Sequence, residues 1–158
     1  MHTAFKLELQ VVSAQTNLPD QANFNAWVTA ALEHLKVASL ELVNLCIRIV
    51  DLEEMVELNK NYRNIDGSTN VLSFPQSLPE YLIDLTDDKP LGDIVLCAPI
   101  VEREACEQDK EVIAHWAHLT VHGVLHLLDY DHENDKEATQ MEGFEIAILE
   151  KLGFANPY

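Results

Sequence analysis

The sequence predicts an α+β (α/β-like) domain in which helices cover a mixed four-stranded sheet. Strand and helix patterns alternate in the first half of the chain, and from Pro99 onward the periodicity is helical throughout. An apolar fraction of 47% can fill one core in a chain of 158 residues without crosslinks. We therefore expect a single domain over residues 1–158.

The first strand and the first helix have clear patterns. Residues 5–12 alternate apolar and polar side chains with a period of two, which predicts a half-buried strand. Asp20 can cap the helix that follows. The apolar residues of that helix recur at steps of three and four, and they are Phe24, Trp27, Val28, Ala31, Leu32 and Leu35. This apolar face is expected to pack on the sheet.

A second strand and a short helix come next. Apolar residues alternate over residues 45–49, which predicts the strand. Asp51 and Glu54 then have the spacing of a capping box, with Asp in place of the usual Ser or Thr. The helix that they begin is expected to end near Tyr62. A helix between two strands also favours some parallel pairing.

The sheet is expected to be completed by strands at residues 69–74 and 91–97. Between them lies an acidic stretch that breaks regular structure and is predicted to form a loop at the rim of a cleft. It contains Pro79, Asp84, Asp87, Asp88 and Pro90. Helical periodicity then predicts helices near residues 99–108, 111–128 and 135–152, the last one ending before Gly153.

The composition limits the class of protein. Twenty-seven acidic residues against ten basic ones give a formal net charge of −17, which weighs against broad, non-specific nucleic-acid binding and against DNA as a partner. Neither a leader-like segment nor an apolar run of membrane-spanning length is recognisable, so we expect a cytoplasmic protein without a membrane partner. Cys46, Cys97 and Cys106 are far apart, which predicts reduced, buried thiols.

Five of the seven histidines lie between residues 115 and 132, which points to a metal site. On a helix His122 and His126 project from the same side about 6 Å apart along the axis, and His118 and His122 have the same relationship. All three cannot bind one ion, because the outer two are about 12 Å apart. His132 reaches the 122/126 pair most easily if the chain folds back across the helix end.

We therefore predict metal ligands at His122, His126 and His132. Three neutral imidazoles leave a fourth position for water, as a catalytic zinc site requires. Zinc is the preferred ion, although nickel, copper and iron also suit imidazole ligands. His115 and His118 are assigned to packing or hydrogen bonding, and His118 can also orient a ligand from behind.

The motif argues against a zinc peptidase of the His-Glu-x-x-His type. The glutamate that acts as general base in those enzymes is replaced by Gly123. Glycine inside a helix costs about 1 kcal/mol relative to alanine, so it indicates either space beside the ion or close helix packing. Without that base, activation of water would depend on the metal or on a group such as Asp131 or the substrate.

The run from His122 to His132, read as His-Gly-Val-Leu-His-Leu-Leu-Asp-Tyr-Asp-His, resembles the signature of the YbeY family of bacterial rRNA-maturation endoribonucleases. Further segments are similar to that family in order and spacing: Tyr62-Arg63, residues 69–75, 91–96 and 114–118. The resemblance implies a zinc-dependent endoribonuclease that processes the 3′ end of small-subunit ribosomal RNA and takes part in ribosome quality control. Ribosomal RNA and ribosomal particles are the implied partners.

Two positions depart from the family pattern. Asp129 stands where the family usually has glycine at the helix exit, and Asp can adopt the left-handed conformation needed there at modest cost. Residues 64–68 lack the lysines that some relatives carry, which lowers the expected affinity for RNA without touching the metal ligands.

Arg63 is the candidate catalytic residue. Its planar guanidinium can bind two phosphate oxygens at once, and we place it in a loop beside a strand. Asn70 and Ser73 are left out of the catalytic set, since either can be satisfying the backbone at a strand end. Two alternatives stay open: a metallohydrolase acting on a small or peptide substrate, and a ribosome-assembly factor with a structural metal.

Overall fold

The computed structural model describes residues 5–76 and 89–158. Its strands are β1 (Lys6–Val11), β2 (Val43–Val50), β3 (Val71–Pro75) and β4 (Lys89–Cys97). They form one sheet in the order β1-β2-β4-β3, in which β1, β2 and β4 are parallel and β3 is antiparallel to β4. The predicted mixed four-stranded sheet, with parallel pairing across the first helix, is therefore confirmed.

Helices account for most of the remaining described residues. They are α1 (Gln21–His34), α2 (Leu52–Arg63), α3 (Ala98–Glu107), α4 (Val112–Leu127) and α5 (Asp135–Lys151). A 3-10 turn at Leu40–Leu42 leads into β2. Each element matches one predicted from the sequence, and the bounds differ by only one or two residues at the ends.

The two faces of the sheet are covered unequally. Successive residues of a strand point to opposite faces, so Ile94 and Leu96 of β4 lie in the larger core whereas Val95 and Cys97 lie in the smaller one. The larger core packs α1, α4 and α5 against the sheet, and Trp116 of α4 is almost completely buried in it. Helix α4 is thus held firmly between the sheet and the other helices.

The predicted capping box at the start of α2 is wrong. Asp51 is the N-cap residue, but its carboxylate accepts hydrogen bonds from the Ala14 amide at 3.0 Å and from Ser13 Oγ at 2.5 Å. These bonds lower the pKa of Asp51. Glu54 instead pairs with Arg48, whose Nε lies 2.6 Å from a carboxylate oxygen. Both carboxylates are taken by partners from neighbouring segments, so neither is left for the cap.

The prediction of buried thiols holds only in part. All three cysteines are free, and Cys97 is buried, whereas Cys46 is half-buried and Cys106 is exposed. Cys106 follows the buried Ala105 on α3. One helical residue is a rotation of about 100°, which carries the thiol away from the core and into solvent.

The acidic stretch predicted as a loop lies mostly outside the described residues, which omit residues 77–88. Pro90, which the sequence places in that loop, belongs to β4 and pairs with Asn44 beside an irregularity in the register. A proline is tolerated there because it lies near the strand's beginning. Among the described helices, none combines the length and the hydropathy needed to cross a membrane.

Candidate metal centre

The candidate site is built on the C-terminal half of α4. His122 and His126 lie one turn apart, and their Nε2 atoms face each other at 3.0 Å. Two ligands of a tetrahedral zinc ion with bonds of about 2.0–2.1 Å are roughly 3.3 Å apart, close to this spacing. The pair is therefore already arranged as two ligands of one ion.

The helix exit brings the third histidine back to this pair. Asp129 adopts the left-handed conformation with a φ of 69°, as expected for the residue that replaces glycine here. Its amide donates to the His126 carbonyl, and the Tyr130 amide donates to the Leu125 carbonyl, each at 3.0 Å. These bonds close the end of α4 and turn the chain so that His132 lies over it.

The structure brings the three predicted ligands together. One ring nitrogen from each of His122, His126 and His132 lies within 4.8 Å of the other two. His122 and His126 are half-buried and His132 is exposed, so the site stays open on one side. Burial, followed by the neighbouring His122 and His132, lowers the pKa of His126. A lower pKa favours the neutral imidazole, which is the form that binds a metal.

A carboxylate on α5 orients the first of the predicted ligands. Glu145 is completely buried, and its Oε2 lies 2.9 Å from His122 Nδ1. Burial raises the pKa of Glu145, but hydrogen bonds from His118 and His122 outweigh burial and bring it to about 2. The carboxylate is therefore ionised and accepts the Nδ1 proton of His122. That leaves the His122 Nε2 lone pair free to face the cleft, as a zinc ligand requires.

The remaining two histidines of α4 are occupied elsewhere. His115 Nε2 lies 2.9 Å from Glu104, and His118 Nε2 lies 2.6 Å from Glu145. Both side chains are buried. Their exclusion from the ligand set agrees with this geometry, and His118 contacts the carboxylate that orients His122.

The predicted catalytic arginine lines the same cleft as the histidine triad. The cleft has a volume of about 590 Å³, and its walls include Arg63 of α2 and β3 residues together with all three histidines. Arg63 is the last residue of α2 rather than part of a loop, because Asn64 takes the left-handed C-cap conformation one residue later than expected. Its guanidinium is exposed at the cleft.

Two polar residues of the β3 region have structural partners. Ser73 Oγ donates to the Gly123 carbonyl at 3.3 Å. Asn70 accepts from the Val71 amide at 2.7 Å and donates to Glu104 at 3.0 Å. These contacts support leaving both residues out of the catalytic set.

Gly123 allows α4 to pack closely on the sheet. A Cβ atom built on this residue would lie 3.0–3.2 Å from three side-chain carbons of Ile94 in β4. Of the two explanations that the sequence left open, close packing is therefore the one that the geometry supports.

Sequence reasoning missed Glu145, although a signal was present. The apolar face of α5 carries Met141, Ile148 and Leu149, all buried. Glu145 follows Met141 by one helical turn and so lies on that same face. A charged residue on an apolar face needs a buried partner, and that requirement could have drawn attention to it.

Comparisons with known proteins agree on one family. The family model described as Endoribonuclease YbeY matches residues 10–153. Relatives named Endoribonuclease YbeY include one from Colwellia psychrerythraea, 44% identical over 98% of this chain and 97% of its own length. Another, from Stenotrophomonas maltophilia, is 51% identical over 91% of this chain and 87% of its own length.

A solved structure is similar as well. The solution structure of TM1509 from Thermotoga maritima superposes with a TM-score of 0.57 at 25% sequence identity. The match covers 91% of this chain and 88% of that one. The likeness therefore extends over nearly the whole fold.

Proposed function

The chain belongs to the YbeY family of endoribonucleases, and we propose that it cleaves RNA with one zinc ion held by His122, His126 and His132. The observation that carries the proposal is the convergence of three imidazole nitrogens in an open cleft that an arginine also lines. We further propose ribosomal RNA precursors as the substrate, the 3′ end of the small-subunit RNA as the place of cleavage, and a part in ribosome quality control in the cytoplasm.

Zinc suits the donor set. Three neutral imidazoles with one open side match the ligands of catalytic zinc sites, in which the remaining position is left for water or substrate. A zinc ion held by these residues would act as a Lewis acid and lower the pKa of a water molecule toward neutrality. Glu145 keeps the His122 proton on Nδ1 and so leaves Nε2 available to the ion.

Arg63 is proposed to bind the phosphate that is attacked. Its exposed guanidinium lines the cleft together with the histidines, and none of the described carboxylates forms a salt bridge with it. A guanidinium binds two phosphate oxygens at once and stabilises the charge that develops on them in the transition state. Arg63 thus provides positive charge to a protein whose net charge is −17.

The same net charge supports a ribosomal context for the substrate. Repulsion between the acidic surface and free RNA is opposed only locally, by the cleft arginine and a bound cation. We therefore propose that ribosomal particles, in which other components can contribute to binding, are cleaved better than free RNA. Cleavage of free RNA should in turn be weak and sensitive to salt.

The test is a cleavage assay on single-stranded RNA and on precursor ribosomal particles, combined with elemental analysis of protein purified without added metal. The wild-type protein is expected to carry about one zinc ion and to cut RNA, and a chelator or His126→Ala should remove both properties. His115→Ala serves as the matched control on the same helix. Metal-free protein that cuts RNA at the wild-type rate would contradict the proposal.

A further inference from the structure

A buried carboxylate with three partners lies behind the histidine triad. Glu145 Oε2 faces His122 Nδ1 at 2.9 Å, while Glu145 Oε1 lies 2.6 Å from His118 Nε2 and 2.5 Å from the Tyr158 hydroxyl. Each carboxylate oxygen therefore has its own partners. One oxygen serves the metal ligand, and the other is held by two groups that are not ligands.

These contacts determine which ring nitrogen carries the proton in each of two neighbouring histidines, His118 and His122. A carboxylate oxygen that faces a ring nitrogen at hydrogen-bond distance accepts the proton of that nitrogen, so in this geometry His122 donates from Nδ1 and His118 from Nε2. The two imidazoles are thereby held in opposite tautomers, and which nitrogen carries the proton is set by the hydrogen bond that it makes. His122 Nε2 is left to face the cleft, whereas His118 Nε2 is engaged by Glu145.

Tyr158 is connected to the site by its hydroxyl group more than by burial of its ring. Its side chain belongs to the segment after α5 and is 61% exposed, so its ring removes little apolar surface from water. The ring lies edge-on to His118 with centroids 5.4 Å apart, and the hydroxyl points to Glu145 Oε1. This hydroxyl is the contact that ties the segment to the site.

The rotation of the carboxylate is what this contact can control. The terminal torsion of a glutamate is broad and two-fold, so burial alone does not fix the plane of the carboxylate, and exchanging its two equivalent oxygens changes nothing. Two donors on one oxygen favour the plane in which the other oxygen faces His122. Without the hydroxyl, His118 alone would hold Oε1, and the carboxylate could turn between its neighbours.

We propose that Tyr158 is a positioning residue that holds the Glu145 carboxylate in the rotation that directs His122 Nε2 toward the metal. This inference rests on the proposed metal site. It makes the segment after α5 a part of the site, although Tyr158 itself touches neither the metal nor the RNA. Its influence passes from the hydroxyl through Glu145 to the ring of His122.

The first test uses metal-free protein and reads the His122 tautomer. Long-range ¹H–¹⁵N correlation spectra assign the proton to one ring nitrogen, and the His122 signal is identified by its disappearance in His122→Gln. The wild-type protein is expected to carry the His122 proton on Nδ1, and Tyr158→Phe should give a mixture of both tautomers. Tyr62→Phe, which removes a hydroxyl from another exposed tyrosine, should leave the signal unchanged.

The second test measures zinc affinity by competition with a chelator. Glu145→Gln should weaken binding about 10–100-fold, as is typical when an outer partner of a ligand is lost, and Tyr158→Phe, one contact further out, about 3–10-fold. Tyr62→Phe should bind as the wild type does. Thermal unfolding of the metal-free variants checks that the fold is equally stable in each.

The outcomes separate this inference from the proposed function. If the wild-type protein binds no zinc, the proposed function fails and the tautomer measurement alone decides the role of Tyr158. If the wild-type protein binds zinc while Tyr158→Phe changes neither tautomer nor affinity, the inference is overturned and the metal site stands. Effects that merely follow a lower melting temperature of Tyr158→Phe would also overturn it.

Discussion

The two halves of α4 use the same residue type for different purposes. In the first half the Nε2 atoms of His115 and His118 each meet a carboxylate, whereas in the second half those of His122 and His126 face each other. Centroids of the His118 and His122 rings are 6.4 Å apart, against 4.5 Å for His122 and His126, although both pairs are separated by one turn. The available partner, rather than the spacing, decides which histidine is free to bind a metal.

The largest expected effect is on metal binding. Changing His122, His126 or His132 to Ala should each abolish stoichiometric zinc binding, because two imidazoles hold the ion too weakly, whereas His115→Ala should keep it. Elemental analysis after dialysis measures the content. Full zinc occupancy in His132→Ala would show that His132 is not the third ligand of the pair on α4.

A second prediction concerns the ends of the cleaved RNA. His115 and His118 are bound to carboxylates and the remaining three clustered histidines are the proposed ligands, so no histidine pair of this cluster is left for acid and base catalysis. We expect hydrolysis by water, which needs no 2′-hydroxyl at the cut site and leaves no 2′,3′-cyclic phosphate.

Mass spectrometry of fragments from a short RNA with a single 2′-deoxy substitution at the cut site measures this difference. The substituted and unsubstituted RNAs should be cut alike, and a chelator should stop both reactions. Cyclic-phosphate ends that vanish with the deoxy substitution would show that the 2′-hydroxyl is the nucleophile. The histidine assignment would then need revision, with one of them acting as a base.

A smaller effect is expected for the arginine in the same cleft. Arg63→Glu should lower RNA cleavage about 10²-fold or more, as for a lost transition-state contact, while folding and zinc content stay unchanged. Arg103→Glu, a change of the same charge on an exposed position of α3, is the control. Equal cleavage by the Arg63 variant and the wild type would show that Arg63 is a surface residue without a catalytic role.

The smallest effect is on stability and tests the first half of α4. His115→Ala should lower the free energy of unfolding by about 1–3 kcal/mol, because Glu104 loses its buried histidine partner and keeps only Asn70 among the side chains described here. Urea unfolding of the metal-free proteins measures this. His115→Gln keeps an amide donor near Glu104 and should recover part of the loss.

The pH dependence of this effect has a definite sign. Burial lowers the pKa of His115, opposed by Glu104 and aided by Lys110 and His118, so the unfolded chain binds this proton more readily than the folded one. The stabilisation is present above the unfolded pKa near 6.5 and is lost as the pH falls. Between pH 7 and 5 the wild type should therefore lose more stability than His115→Gln, and parallel curves would contradict this.

Local patterns in the sequence determined much of this protein. Period-two and helical spacing gave the strands and helices, since the side chains of each element must face one core. The spacing of His122, His126 and His132 likewise predicted their convergence, because a helical turn and a short exit span few residues. The left-handed turn at Asp129 was predicted instead from the family resemblance, in which this position is usually glycine.

Contacts between distant segments were decided only by the tertiary structure. Glu145 reaches back to His118 and His122 on α4, Tyr158 closes on Glu145, and Asp51 accepts hydrogen bonds from the segment that follows β1 rather than capping its own helix. Such contacts have no period in the sequence, because they depend on how helices and strands pack. The sequence by itself determined the candidate ligands, because their spacing is local, whereas packing decided which carboxylates hold His115, His118 and His122.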